Sequence, residues 1–504
     1  MNRVLRDSYA AYVPRPFTAA ERDRTTIAFG GMTWRTERAL QGLFSNCGYR
    51  SLRLPSATRE DLLKGRELID NGQCCPMAFT TGALVNFLER QVETVGSAAA
   101  VNDYIYVTLG ACGACRFRQY HQSYELALRN LGLEDFRLFF VQQDEIDQSR
   151  EAGAGLQTDT HMLLGAVMAI VLSDLVQDLE YQIRPYEIEP GATERAARRA
   201  MEEIHDALAN RPKRSGQNAS ILWHLTTGYF AGAMRRARKP FEQVRLDRLQ
   251  PKPKVKITGE FYLATVEGEQ NYNMHSWLES ESAEVYPAGV SIYLDYLMRF
   301  ARQSHEARIG LRRNARLNAA VLRLASRLFN MRYNQHRRAF GGVAHALPGQ
   351  DEVSGLAAPF YDNLISGGEG DLLIGKAIWT HLHRQAHMIC ELSPYGCLPN
   401  TMSIGAMANV LGHYPDLLYA PIEIKGDAEV HALSRCQMVL TEAKTRARDE
   451  FDRALKAAGL SLDEARARMA RRPEMASPFW KVPDRGAVGT AANVVLELGG
   501  ARLS

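Results

Sequence analysis

Long hydrophobic runs are missing from this chain of 504 residues. The longest, LLGAVMAIVL at 163–172, is about half a membrane span and is soon followed by Asp174 and Asp178. No membrane span is expected. Charge of one sign is also scarce: a net +4 over this length makes no case for a nucleic-acid or anionic-membrane partner. Cysteine is sparse too, with eight in all, far too few for a disulfide scaffold of this size. The opening segment MNRVLRDSYAAYVPRPF has charge and proline but not the apolar stretch of a secretory signal. These absences together point to a soluble, cytoplasmic protein whose thiols stay reduced.

What the chain does have is alternation. From 26 to 150, strand-like runs such as TTIAFGG, YRSLRLP, DYIYVTLG and FRLFFVQQ are interleaved with helical patterns. That pattern implies a parallel sheet covered on both faces. The chain is also too long for one hydrophobic core. Five regions are expected: an N-terminal arm, 1–25; a first α/β domain, 26–156; a helical segment, 157–250; a second α/β domain, 251–445; and a C-terminal helix and tail, 446–504. The second domain begins near Pro251 and Pro253 with VKITGEFYLATV, read as a strand, and carries a helical insertion at 290–340. The fold class is therefore α/β, with two parallel-sheet domains of the Rossmann or flavodoxin kind and helical insertions. The extreme C-terminus is expected to be loose.

Four cysteines fall in three segments that read as loops at strand ends or helix starts. They are Cys74 in NGQCCPMAFTTG, Cys112 and Cys115 in GACGACRFRQYH, and Cys397 in SPYGCLPNTMSIG. In an open α/β sheet, ligands gather at the carboxyl ends of the strands. Amide N–H groups at the following helix starts favour a thiolate. Pro76 and Pro399 stiffen the turns that present two of the sulfurs. A single CxxC is compatible with a redox pair. Zinc sites usually carry two such knuckles, so distant single cysteines gathered onto one CxxC fit an iron–sulfur cluster better. Cys75 competes with its neighbour Cys74 for the ligand role. Cys47, Cys390 and Cys436 read as small buried hydrophobes. Arg116 stands ready to offset a cluster's charge or hold a carboxylate.

Other motifs carry less. GDLLIGKA, 370–377, matches GxxxxGK but ends in Ala where a phosphate loop needs Ser or Thr, so a glycine-started helix is expected. His381, His383 and His387 lack an HExxH arrangement and read as structural.

GRELIDNGQCCPMAFTTGALVNFL, GACGACRFRQYHQSYELALRNLG, KITGEFYLATVEGEQNYN, GEGDLLIGKA, YGCLPNTMSIGAMANVL and VHALSRCQMV follow one another across roughly 25–445. In this order they resemble segments of the 2-hydroxyacyl-CoA dehydratase and benzoyl-CoA reductase superfamily. The likeness is greatest to the cluster-binding region of its CoA-substrate-specific enzyme activase relatives. The resemblance implies two α/β domains clasping an iron–sulfur cluster, [4Fe-4S] or a double cubane, with Cys74, Cys112, Cys115 and Cys397 as ligands. A double cubane would need Cys75 or Cys390 in addition. The resemblance also implies a homodimer or heterodimer, an acyl-CoA substrate, and an ATP-dependent activase supplied as a separate chain, since no activase phosphate motifs occur here. The expected function is low-potential electron transfer, or a reductase or dehydratase component. A non-catalytic cluster carrier or scaffold and a zinc-stabilised structural protein are the alternatives. Cys75, Ala114 and Arg118 depart from the family pattern, and Arg118 is expected beside the cluster.

Overall fold

Segments rich in Ile, Val, Phe and Tyr form two all-parallel sheets. The structure is a computed structural model that describes residues 15–70, 72–110, 115–141, 154–214, 216–365 and 368–503. In the first sheet β1 (Thr26–Phe29), β2 (Arg50–Arg53), β3 (Tyr104–Leu109) and β4 (Arg137–Val141) lie in the order β2-β1-β3-β4. In the second, β5 (Lys254–Gly259), β6 (Glu284–Tyr286), β7 (Met388–Pro394) and β8 (Leu418–Ile424) lie in the order β6-β5-β7-β8. The two halves thus repeat one topology. Each has a switch point, between β1 and β3 and between β5 and β7, where ligands of such folds collect.

Alternating side chains cover both faces of the first sheet. Ile27, Phe29 and Ile105 join a core built with the helices Trp34–Asn46, Thr160–Ile183 and Ala192–Ala209. Ala28, Tyr106 and Leu138 join another built with Cys75–Val95 and Tyr120–Leu131. Val255, Ile257, Cys390 and Leu392 of the second sheet share a core with Leu62, Cys75 and Phe79, so the helix that starts at Cys75 belongs to both lobes.

Helices Thr160–Ile183, Ala192–Ala209, Gln217–Thr226 and Tyr229–Arg238 lie within 157–250, and Ser291–Glu306 and Ala315–Ala339 lie within 290–340. The run LLGAVMAIVL lies within helix Thr160–Ile183; the stretch Thr160–Tyr186 is long and apolar enough to cross a membrane by length and composition, and about two thirds of its apolar window is buried, as in a core helix. Two expectations need correction. The boundary at 445 falls inside the unbroken helix Glu429–Ala458. The C-terminus is not loose: helix Thr490–Gly499 is buried against that same helix, with Val494, Val495 and Leu496 in a core with Phe451 and Ala454.

One contact places the site directly. Helix Arg59–Leu68 lies backbone to backbone on helix Cys75–Val95, because Gly65 faces the Ala78 carbonyl and Gly82 faces the Asp61 carbonyl with no room for a Cβ. Gly82→Ala should therefore push the two helices apart and cost roughly 1–3 kcal/mol, as overpacking does. Urea unfolding checks this. An unchanged midpoint would contradict the close approach.

Candidate metal centre

Each of the three described site cysteines is the residue just before a helical turn. Cys74 precedes helix Cys75–Val95, Cys115 precedes the short 3-10 turn Arg116–Gln119, and Cys397 precedes helix Leu398–His413. The backbone N–H groups of Met77, Phe117 and Asn400 face the three sulfurs and favour their thiolate forms. Cys115 follows β3 and Cys397 follows β7, the equivalent strands of the two sheets.

All three cysteines line one pocket, together with Pro76, Arg116, Phe117, Tyr120, Glu260 and residues around Cys397. The loops that carry them touch. The Arg116 guanidinium donates to the Gly72 carbonyl. Gly396, at φ +76°, sits so that a Cβ would lie 3.4 Å from the same carbonyl oxygen. The Tyr120 hydroxyl is 3.2 Å from Cys74 Sγ and stays protonated, so it can donate to a thiolate there. Cys397 Sγ is 3.4 Å from Asn400 Oδ1. Asn400 and Ser403 in turn reach the buried Glu391 carboxyl, which also accepts from the Tyr419 hydroxyl at 2.9 Å.

Without a metal these thiols are neutral. Burial raises Cys74, pushes Cys115 up to about 12 and raises Cys397 further; nearby Glu260 adds to each shift. Glu260 itself is raised to about 8, first by burial and then by Glu369, so it adds little negative charge near neutral pH. A bound cation reverses this balance and holds the sulfurs as thiolates. In the metal-free chain, then, iodoacetamide at pH 7 should label these cysteines far more slowly than an ordinary exposed thiol. The rate should climb as pH rises towards 12, because only the thiolate reacts. Peptide mass mapping checks this; fast labelling at pH 7 would contradict it.

Three thiols around one pocket have the chemistry of iron–sulfur ligands. Among the described residues, no group of three or more His, Cys, Asp or Glu side chains stands close enough together to hold a metal ion.

Cys112 and Ala114 lie outside the described residues. Cys75 is turned away from the pocket into the core with Phe79 and Tyr262, which leaves Cys74 as the pocket-facing member of the pair. Cys390 is buried in β7, so neither extra thiol that a double cubane needs lines the pocket. Cys436 is buried as expected, whereas Cys47 is only partly so. Arg118 is exposed and does not line the pocket, contrary to expectation. GDLLIGKA is the start of helix Gly370–Leu382. His383 pairs with Glu352, and His387 with Glu450 and the Lys254 N–H.

Two pocket residues escape the sequence reading. VKITGEFYLATV is not one strand. β5 stops at Gly259, where φ is +128° and the Leu392 carbonyl leaves no room for a Cβ; Glu260 then caps helix Phe261–Thr265 by accepting from the Leu263 N–H at 3.0 Å. The Gly-Glu pair after an apolar run is the signal for that turn. Tyr120 carries no such local signal. No family model matches the chain, and no curated protein matches it.

Proposed function

We infer that this chain holds an iron–sulfur cluster between its two lobes and works as the cluster-bearing component of a low-potential reductase or 2-hydroxyacyl-CoA dehydratase-like system. The observation that carries the reading is the meeting of Cys74, Cys115 and Cys397, from three distant stretches of sequence, around one pocket at the carboxyl ends of both sheets. Cys112, three residues before Cys115, is proposed as the fourth ligand. A [4Fe-4S] cluster is favoured over a double cubane because Cys75 and Cys390 face elsewhere.

When bound, such a cluster supplies one-electron chemistry at a potential set by its surroundings. The chain's own residues provide those surroundings. The N–H groups at three helix starts and the Tyr120 hydroxyl face the sulfurs. Phe117, Pro76 and Pro399 limit water access, and the Arg116–Gly72 contact holds two ligand loops together. The partners proposed are an ATP-dependent activase on a separate chain, a second α/β subunit of the same or a related kind, and an acyl-CoA substrate, all in the cytoplasm.

The test is reduction of the anaerobically purified chain by such an activase. Its visible absorbance should bleach when ATP is added and stay unchanged without it. Bleaching that does not depend on ATP, or no chromophore at all, overturns the reading.

A further inference from the structure

A second cavity shares no lining residue with the cysteine pocket. Two lysines line it. Lys376, on helix Gly370–Leu382, is 2% exposed, and its Nζ has no hydrogen-bond partner among the described residues. Lys256, on β5, is 6% exposed; its Nζ donates to the Pro287 carbonyl at 2.7 Å and stands 3.3 Å from the centre of the Tyr286 ring. His345 stacks on the same ring at 4.0 Å.

Two acidic groups line the cavity, Asp178 and Asp174. Asp178 accepts from His345 Nδ1 at 2.8 Å and from Gln182. Asp174 accepts from the Ser291 N–H at 2.6 Å, leaving its Oδ1 without a partner. Glu369 and Glu391 attract Lys376 only through space. A buried ammonium without a partner is costly, and proteins normally pair such a charge. Here the missing partner has room to be a ligand, and Ile292 and Leu347 line the same cavity with apolar surface.

We propose that this cavity binds a small carboxylate anion, its carboxylate at the Lys376 ammonium with Lys256 beside it as a hydrogen-bond donor, and its short apolar tail against Ile292 and Leu347. The site is independent of the cluster reading: it uses none of the cysteines.

The test is calorimetric titration of the full chain with sodium propionate at pH 7 in a low-chloride buffer. Saturable binding at one per chain is expected, weakened at least roughly tenfold in Lys376→Met and in Lys256→Met. Propionate should also raise the urea midpoint of the unaltered chain while propionamide at the same concentration does not, a readout that survives if a variant fails to fold. Equal affinity in Lys376→Met, or a midpoint that propionate leaves unchanged, overturns the proposal. Competition by chloride at the same concentration as propionate would reassign the cavity to inorganic anions and overturn the carboxylate assignment.

Discussion

Cys397→Ser, purified without oxygen, is expected to carry roughly a tenth or less of the unaltered chain's iron, because serine is a poor ligand for iron that prefers thiolate. The metal-free fold should survive. Cys397 Sγ has one side-chain partner, Asn400 Oδ1 at 3.4 Å, and a serine hydroxyl occupies the same place with little change in volume. The loss would therefore report ligation and not unfolding. Cys75→Ser supplies the contrast. That side chain sits in the core with Phe79 and Tyr262, so the change should cost stability yet leave the iron in place. Iron assay and urea unfolding of both variants separate the two effects. Iron lost equally from both would mean that packing, not ligation, governs retention.

Arg35→Met should produce the largest loss of stability, about 3–5 kcal/mol, the usual result of removing one partner from a buried ionic group. Arg35 is 1% exposed. Its Nε donates to Glu180 at 2.8 Å, and another guanidinium nitrogen donates to Glu267 at 2.7 Å. Arg35 stands on the helix after β1, Glu180 on the long core helix and Glu267 just beyond β5, so one side chain ties the first lobe, the helical layer and the second lobe together. Although burial opposes it, the Arg35 charge dominates and holds the Glu267 carboxyl down at about 2. A carboxyl lowered on folding stabilises the fold above its unfolded pKa near 4.5, and this contribution is lost as pH falls from 4.5 towards 2. The unaltered chain should show that acid-dependent loss; Arg35→Met should start less stable and show less of it. Denaturant midpoints measured across that pH range check both parts. A variant as stable as the unaltered chain at pH 7 would contradict the strap.

The parallel sheets are legible in the sequence because strands buried on both faces are written as nearly continuous apolar runs: MICELSP is β7 in full, buried at every position. The repeat of one strand order in both halves is not legible, since topology depends on which strands pair, and no short sequence period accompanies it. Cys74, Cys115 and Cys397 are legible as a set because each stands just ahead of a helical start, two of them with a proline two residues on. The choice between Cys74 and Cys75 is different. Adjacent residues at a helix start point in different directions, and only packing against the second sheet decides which sulfur faces the pocket. The Gly-Glu pair signals the turn at Glu260, but that this turn faces the pocket depends on packing against Leu392 of a neighbouring strand, far away in sequence. The boundary at 445 fails for a local reason: helix Glu429–Ala458 runs without a break to Gly459, which takes the left-handed conformation that ends it.

Binding of one inorganic cluster by the distant thiols is tested most directly by metal and sulfide analysis of the anaerobically purified chain, combined with electron paramagnetic resonance before and after dithionite. Iron and acid-labile sulfide in equal amounts, zinc only in trace, and a paramagnetic signal that appears on reduction are the predicted result. One equivalent of zinc with no iron, or a colourless chain without a signal, would contradict it.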